Sequence, residues 1–506
     1  MKFIRTLSSL QITFLILLLA LCSSVLSNRC EAQTSTYKHR SAGAVTAQRH
    51  AIPALFISDI HFDPFHDPAK LQQLVDAPAS QWSAILSATP SSNQSQAFDS
   101  LQQECKARGV DTPYPLLHSS LQAMRSNEPD AKFMTISGDL IAHAFVCRYK
   151  TLLPRSSERD YQAFVLKTLT FVVAELHSTF PGMPIYISLG NNDTGCGDYR
   201  LDADSDFLAQ AGKILADVLP ASQQSSAIKQ FGAGGYYSVT MAAPMQNTRL
   251  IVINDLFFSS KYTTCSGSHD ETAVRAQIAW LKDQLSVARQ SSQKVWVMGH
   301  IPPGVNAYST LAKMKNICNK AKPDMFLSSD TMTDLLIEYA DVIPLGIFAH
   351  THMDEMRLLE PKDNDARSSV DHDVVIKMVP SISPVDGNNP SFTIARVNPL
   401  NSVLQDYEVI TASNQTGINT TWTTEYDFAK TYHEPQFSPA SVKDLIADFQ
   451  IDGDSKHETS EAYIRNYFVG DRSSELKPFW PQYACGLANA TAQTFTSCVC
   501  SAGKAM

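Results

Sequence analysis

Five short segments of this 506-residue chain set carboxylates, amides and imidazoles at spacings that suit cation binding: Ser58-Asp59-Ile60-His61, Gly138-Asp139, Gly190-Asn191-Asn192-Asp193, Gly299-His300 and Ala349-His350-Thr351-His352. Residues two apart on extended backbone project to the same side, so Asp59 with His61, and His350 with His352, can face one crevice. A carboxylate such as Asp139 can bridge two cations. Imidazoles and the Asn191 amide oxygen complete the shells without adding negative charge that would repel a phosphate. This mixture of nitrogen and oxygen donors suits two divalent ions, zinc first with iron or manganese as alternatives, better than magnesium or calcium. Such a pair, about 3.5–4 Å apart, would bind phosphate oxygens, lower the pKa of a bridging water to about 7 and stabilise the displaced oxygen in an in-line attack. The chemistry expected of Asp59, His61, Asp139, Asn191, His300, His350 and His352 is hydrolysis of a phosphate ester or anhydride by a metal-bound hydroxide.

No segment is decisive by itself: with 14 histidines in 506 residues a His-x-His arises less than once by chance, and alone it reads as an ordinary loop. Position joins them. Each follows directly on a short apolar run, namely Ala54–Ser58, Phe133–Ser137, Ile185–Leu189, Val295–Met298 and Leu345–Ala349, with Leu250–Ile253 a further run that ends in no donor. Runs of this length, alternating with helical stretches such as Glu158–His177 and Thr272–Arg289, predict an α/β domain with buried strands. Sites in open α/β sheets form beyond the carboxyl ends of the strands, so donors spread over nearly 300 residues can converge in one crevice. Val374–Met378 and Phe392–Val397 predict two more strands that close a mixed sheet, and Leu74–Gln103, rich in Ser, Gln and Ala, reads as an insertion able to form a cap or rim.

A composition 44% hydrophobic supports a large core. The expected organisation is a signal peptide over 1–27, a polar linker over 28–51, a catalytic domain over 52–413 and a C-terminal helical extension over 414–506 that ends in Cys485, Cys498 and Cys500. Lys2 and Arg5 before Leu10–Leu26 have the layout of a cleaved secretory signal, with a retained anchor as the alternative. Either places the remainder outside the cytosol: secreted, periplasmic, or in a lysosomal or vacuolar lumen, with no membrane span once the signal is cleaved. Nine of the ten cysteines follow that run, so oxidised pairs are expected, with an odd thiol for which Cys30 is the candidate and a connectivity left open. Asn93, Asn414, Asn419 and Asn489 each open a glycan-acceptor triplet. A net charge of -9 without any Lys/Arg block excludes an electrostatic footprint for nucleic acid, so a small phosphorylated substrate is the expected partner, held by metal.

The five segments resemble the calcineurin-like metallophosphoesterase superfamily, whose blocks run Asp-x-His, Gly-Asp, Gly-Asn-His-Asp/Glu, Gly-His and Gly-His-x-His. The resemblance implies a four-layer αββα sandwich of two mixed sheets. It also implies one metal on Asp59, His61, Asp139 and His352 and another on Asp139, Asn191, His300 and His350. Further segments resemble the acid sphingomyelinase-like phosphodiesterase branch: SDIHFDP, SGDLIAH, VINDLFFSSKY, FAHTHMDEM and NNPSFTIARVNP. A saposin-like lipid-presenting domain finds no room upstream, so a soluble phosphodiester is expected before membrane sphingomyelin. Two positions depart from the pattern. Ala349 replaces a glycine, which is tolerable if its backbone is not in a glycine-only conformation. Asn192 stands where relatives place a histidine that protonates the leaving group; an amide can hydrogen-bond to phosphate but not act as a general acid. His143, four residues after Asp139, is nominated as the acid, the alternative being a histidine that only orients phosphate. Asp193 either orients a ligand or starts a helix. The Gly-Asn-Asn-Asp variant also resembles endopolyphosphatases, which makes polyphosphate, whose leaving group needs less help from an acid, the alternative to a phosphodiester of nucleotide or lipid head-group type. A binding protein that has lost catalysis is the reading from another class. His66, His118, His177, His269, His372 and His433 follow no such run and read as surface or satisfied core residues.

Overall fold

A computed structural model describes residues 51–361, 372–470 and 475–502. The expected signal at Leu10–Leu26, the linker and Cys30 lie outside the described residues.

Among the described residues, twelve strands form two six-stranded mixed sheets. The first runs in the order β12 (Trp422–Asp427), β11 (Val403–Ala412), β10 (Ser391–Asn398), β1 (Ile52–Ile57), β2 (Met134–Ile136), β3 (Ile185–Ile187); β1, β2 and β3 are parallel and the rest antiparallel. The second runs β4 (Tyr237–Thr240), β5 (Thr248–Val252), β6 (Lys294–Met298), β7 (Leu345–Phe348), β9 (Val374–Met378), β8 (Glu355–Leu359), with β5, β6, β7 and β9 parallel. Alternation along β6 shows why its sequence is apolar throughout. Trp296 and Met298 enter the core shared with the first sheet, while Val295 and Val297 pack with Leu281, Leu285 and Ala288 of the helix Glu271–Gln290. Trp296 meets Phe56 of β1 edge-on at 5.8 Å between centroids and donates through Nε1 to Ser402 O at 2.7 Å, which joins the sheets face to face.

The helix Glu158–Thr179 starts at a capping box formed by Ser157 and Asp160 and buries Val165, Leu169, Val172 and Leu176 along one stripe. On it lies the insertion between β1 and β2, whose Trp82 packs on Phe164 and Phe171 at 5.4 Å each. The insertion is thereby seated as a helical layer. The region beyond Asn414 is not wholly helical as expected: β12 extends the first sheet, and helices follow from Phe428. Among the described residues, four disulfides join Cys105 to Cys147, Cys196 to Cys265, Cys318 to Cys500 and Cys485 to Cys498. No helix among the described residues is long and apolar enough to cross a membrane.

Candidate metal centre

The donor segments are turns at the carboxyl ends of β1, β2, β3, β6 and β7, and most of them reverse direction through left-handed backbone. Asp59 (φ 47°), His61 (φ 43°), Asp139 (φ 55°), His350 (φ 74°) and His352 (φ 65°) all lie there. Aspartate, asparagine and histidine tolerate this region better than most side chains, yet each such residue still carries strain of about 1–3 kcal/mol, which surrounding structure must over-determine. Here cross-bonding does so: Asp59 N donates to Gly138 O at 3.0 Å and His61 N to Asp139 O at 2.9 Å. The glycines before Asn191 and His300 have a steric reason. A Cβ on Gly190 would lie 2.0 Å from Asp139 Oδ1, and one on Gly299 would lie 2.2 Å from Asp255 Oδ2. Ala349 is fully buried and keeps out of the left-handed region, so its methyl group fits.

All seven expected donors meet, in two sets that share Asp139. In one, His61 Nε2 lies 3.2 Å from His352 Nε2, 3.4 Å from Asp139 Oδ2 and 3.6 Å from Asp59 Oδ1. In the other, His300 Nε2 lies 3.1 Å from Asp139 Oδ2 and 3.2 Å from both Asn191 Oδ1 and His350 Nδ1. The far nitrogens are engaged outside the cluster: His61 Nδ1 with Ile141 O at 2.9 Å, His300 Nδ1 with Ser137 O at 2.7 Å, His350 Nε2 with Tyr199 Oη at 3.2 Å. A carbonyl can only accept, so the Nδ1–H of His61 and of His300 points outward and the Nε2 lone pair points in. These two lone pairs meet His352 Nε2 and His350 Nδ1 across 3.2 Å each, and buried Asp59 Oδ1 has no hydrogen-bond partner. This donor set fits cations.

The electrostatics agree. Burial alone would lower His61, but Asp139 and Asp59 outweigh it and hold its pKa at about 9; burial likewise opposes, and Asp139 and Asp59 raise, His300 to about 10. Burial and the charge of His300 push His350 well down. A field that draws a proton onto buried imidazole equally favours a divalent cation in its place.

Asn192 turns both its donors to the shared carboxylate, its N to Asp139 Oδ1 at 2.8 Å and its Nδ2 to Asp139 Oδ2 at 2.9 Å, and is 5% exposed. Asp193 starts no helix. Its Oδ1 accepts from Leu140 N at 2.8 Å and Ile141 N at 3.1 Å, its Oδ2 from Gly190 N at 2.9 Å, so it ties the second and third donor turns together. The His143 ring stacks on His61 at 3.9 Å between centroids, with Nδ1 on Asp111 Oδ1 at 2.9 Å and Nε2 facing Arg108 Nη2 at 3.2 Å. Burial first, then the neighbouring charge of His61, lowers the His143 pKa below its usual value.

Asp111, Asp198, Tyr199 and Asp255 escaped the sequence reading. Buried Asp111 orients His143, and Asp255 Oδ2 accepts from His300 N at 2.6 Å. Asp111 follows no apolar run; Asp255 stands two residues after the run Leu250–Ile253, in the VINDLFF segment, but in none of the five donor blocks. The cluster opens into a cleft of about 660 Å³ whose walls include Arg108, Lys261, Tyr308, Phe326 and Tyr467.

Comparison with known proteins gives a match of residues 52–354 to the family model described as calcineurin-like phosphoesterase. The chain is similar to sphingomyelinase phosphodiesterase C of Dictyostelium discoideum, 24% identical over 66% of this chain and 70% of that one. It is similar to cyclic GMP-AMP phosphodiesterase SMPDL3A of Mus musculus, 24% identical over 77% of this chain and 82% of that one. It is also similar to acid sphingomyelinase-like phosphodiesterase 3b of Mus musculus, 24% identical over 88% of this chain and 89% of that one. With more than half its length matched by the family model, this chain belongs to the calcineurin-like phosphoesterase family of metal-dependent phosphoester hydrolases.

Proposed function

We propose that the chain is a phosphodiesterase working outside the cytosol with two divalent cations, zinc or else iron or manganese. One is held by Asp59, His61, Asp139 and His352, the other by Asp139, Asn191, His300 and His350. The observation that carries this reading is the convergence of four imidazoles, with the Nε2 lone pairs of His61 and His300 turned inward, and of unpartnered Asp59 Oδ1 around one shared carboxylate. When bound, the cations would gather the phosphate oxygens and make a water acidic enough to attack phosphorus near neutral pH. The chain's own residues do the rest. Ile141 and Ser137 carbonyls hold His61 and His300 in the needed tautomer, and Asp193 keeps the turns of Asp139 and Asn191 in register. His143, braced by Asp111, can carry a proton on Nε2 to the departing oxygen once Arg108, 60% exposed on its side chain, swings aside. A diester is favoured over a monoester by the names of the relatives. Four disulfides support a secreted or lumenal location.

One observation favours a second substrate class. Arg108 faces His143 Nε2, and Asn192 is engaged with Asp139, so the cleft offers a departing oxygen a cation more readily than a proton. That suits a phosphoanhydride such as polyphosphate, whose leaving phosphate is already a stable anion. Assaying bis(p-nitrophenyl) phosphate beside long-chain polyphosphate, with zinc, iron and manganese each supplied, separates the two. Turnover of the diester with little phosphate release from the polymer supports the first reading, the reverse supports the second, and hydrolysis of neither overturns both.

A further inference from the structure

The loops 196–201 and 259–265, joined by the Cys196–Cys265 disulfide, stand at the outer edge of one half of the cluster. Their backbones pair through Thr263 N to Tyr199 O at 3.1 Å and Leu201 N to Thr263 O at 3.0 Å. Three side chains reach from this pair toward two candidate ligands. Asp198 Oδ1 accepts from Asn191 Nδ2 at 2.7 Å; Tyr199 Oη lies 3.2 Å from His350 Nε2; Lys261 Nζ sits 3.5 Å from that hydroxyl and 4.6 Å over the ring that bears it.

Each contact settles an ambiguity that the ligand cannot settle itself. An amide presents oxygen to one side and NH2 to the other, and the two orientations are nearly equal in shape. An ionised carboxylate only accepts, so Asp198 forces the NH2 of Asn191 outward and leaves Oδ1 turned in, 3.2 Å from His300 Nε2. An imidazole likewise can turn either nitrogen inward. Lys261 donates to the Tyr199 hydroxyl oxygen, and that hydroxyl hydrogen-bonds to His350 Nε2, which holds the ring with Nδ1 facing the cluster, 3.2 Å from His300 Nε2. The other half is held differently, His61 by a main-chain carbonyl and His352 by Asp386 at 3.4 Å.

We infer that Asp198, Tyr199 and Lys261 are positioning residues for one cation only, the ion shared by Asn191, His300, His350 and Asp139, and that they set its affinity apart from that of its neighbour. This rests on the two-cation reading above. Asp198 is exposed at the cleft, so its role is not that of a core residue.

The test is zinc binding to the full-length protein, measured by equilibrium dialysis and metal analysis with chelator competition, and needs no substrate. Wild-type protein is expected to bind two ions. Asp198→Asn keeps the shape but supplies a donor beside Asn191, and should weaken one ion by about ten- to a hundred-fold while the other keeps its affinity. Tyr199→Phe should weaken the same ion to a smaller degree. The double exchange of Asn191→Asp with Asp198→Asn returns an oxygen to the cluster and a donor to the bracket, and should bring that affinity back to within a few fold. Two ions at wild-type affinity in Asp198→Asn, a loss spread equally over both, or no recovery in the double exchange overturns the inference. Fewer than two ions on the wild-type protein overturns the two-cation reading and the bracket with it.

Discussion

Gly190→Ala adds one methyl group and tests whether the donor geometry is as tight as the turns imply. The new Cβ would stand 2.0 Å from Asp139 Oδ1 and 2.4 Å from Asp139 N, against a closest tolerable approach near 3.0 Å. The shared carboxylate, its turn, or both must therefore retreat by about 1 Å, and a misplacement of that size at a reacting centre costs about a hundred-fold in rate. Expressed as a barrier this is about 2.7 kcal/mol. Overpacking should lower stability by about 1–3 kcal/mol, so the protein still folds. The reverse exchange at the fifth block serves as control: Ala349→Gly removes a methyl and adds no atom near the donors, and should leave kcat within a few fold. The assay is kcat and KM on bis(p-nitrophenyl) phosphate at saturating metal, with thermal melting to verify folding. A folded Gly190→Ala enzyme within three-fold of wild type would show that Asp139 does not need its present position, and the reasoning from these turns would be wrong.

Other outcomes are open to measurement. His143→Ala should slow a substrate with a poor leaving group by about 10²–10⁴-fold while sparing one that leaves as p-nitrophenolate, whereas equal losses on both would leave His143 as an orienting group only. Removing metal with a chelator should abolish turnover and lower the melting temperature, and zinc, iron or manganese should restore both; activity that survives exhaustive chelation would contradict the site. Asp406 is 8% exposed, and burial first, then the charge of Asp427, lifts its pKa to about 6. A raised folded-state value means the folded form binds its proton more tightly than the unfolded one. Stability from this group is thus full below about pH 4 and lost as pH rises through 6. Because both backbone donors to it, Tyr407 N at 2.9 Å and Ala429 N at 3.1 Å, use the single oxygen Oδ1, Asp406→Asn can keep them. It should add about 1–2 kcal/mol at pH 7.5 and nothing at pH 4, read by urea unfolding at the two pH values; an equal change at both would exclude titration as the cause.

The parts of the site visible in sequence are those in which a donor directly follows a buried strand, because parallel strands covered on both faces write themselves as unbroken apolar runs. Val295–Met298 and Leu345–Ala349 are read almost residue for residue in this way, and with them His300, His350 and His352. Strands β4 and β8 leave no such trace: Tyr237–Thr240 is short, and Glu355–Leu359 carries buried Glu355 and Arg357, whose mutual ion pair at 2.9 Å hides a core strand behind a charged sequence. β12, with exposed Thr423 and Thr424 at a sheet edge, resembles a loop because its sequence is polar rather than apolar. Asp111 acts through two hydrogen bonds on a residue 32 positions away and Asp198 through one on a residue 7 positions away, separations that no local pattern encodes. Disulfide connectivity is equally a property of the folded chain.

The order of strands in the first sheet bears on how the polypeptide is made. β1 is pinned between β2 and β10, so Ile52 has its partner at Val397, 345 residues later. A nascent chain exposes the β1 edge through most of its synthesis, since the strand that covers it emerges from the ribosome only after every metal donor has been translated. Fragments ending before about residue 400 should collect as open-edged, aggregation-prone species, and this enzyme is expected to depend on chaperone shelter until its last quarter arrives.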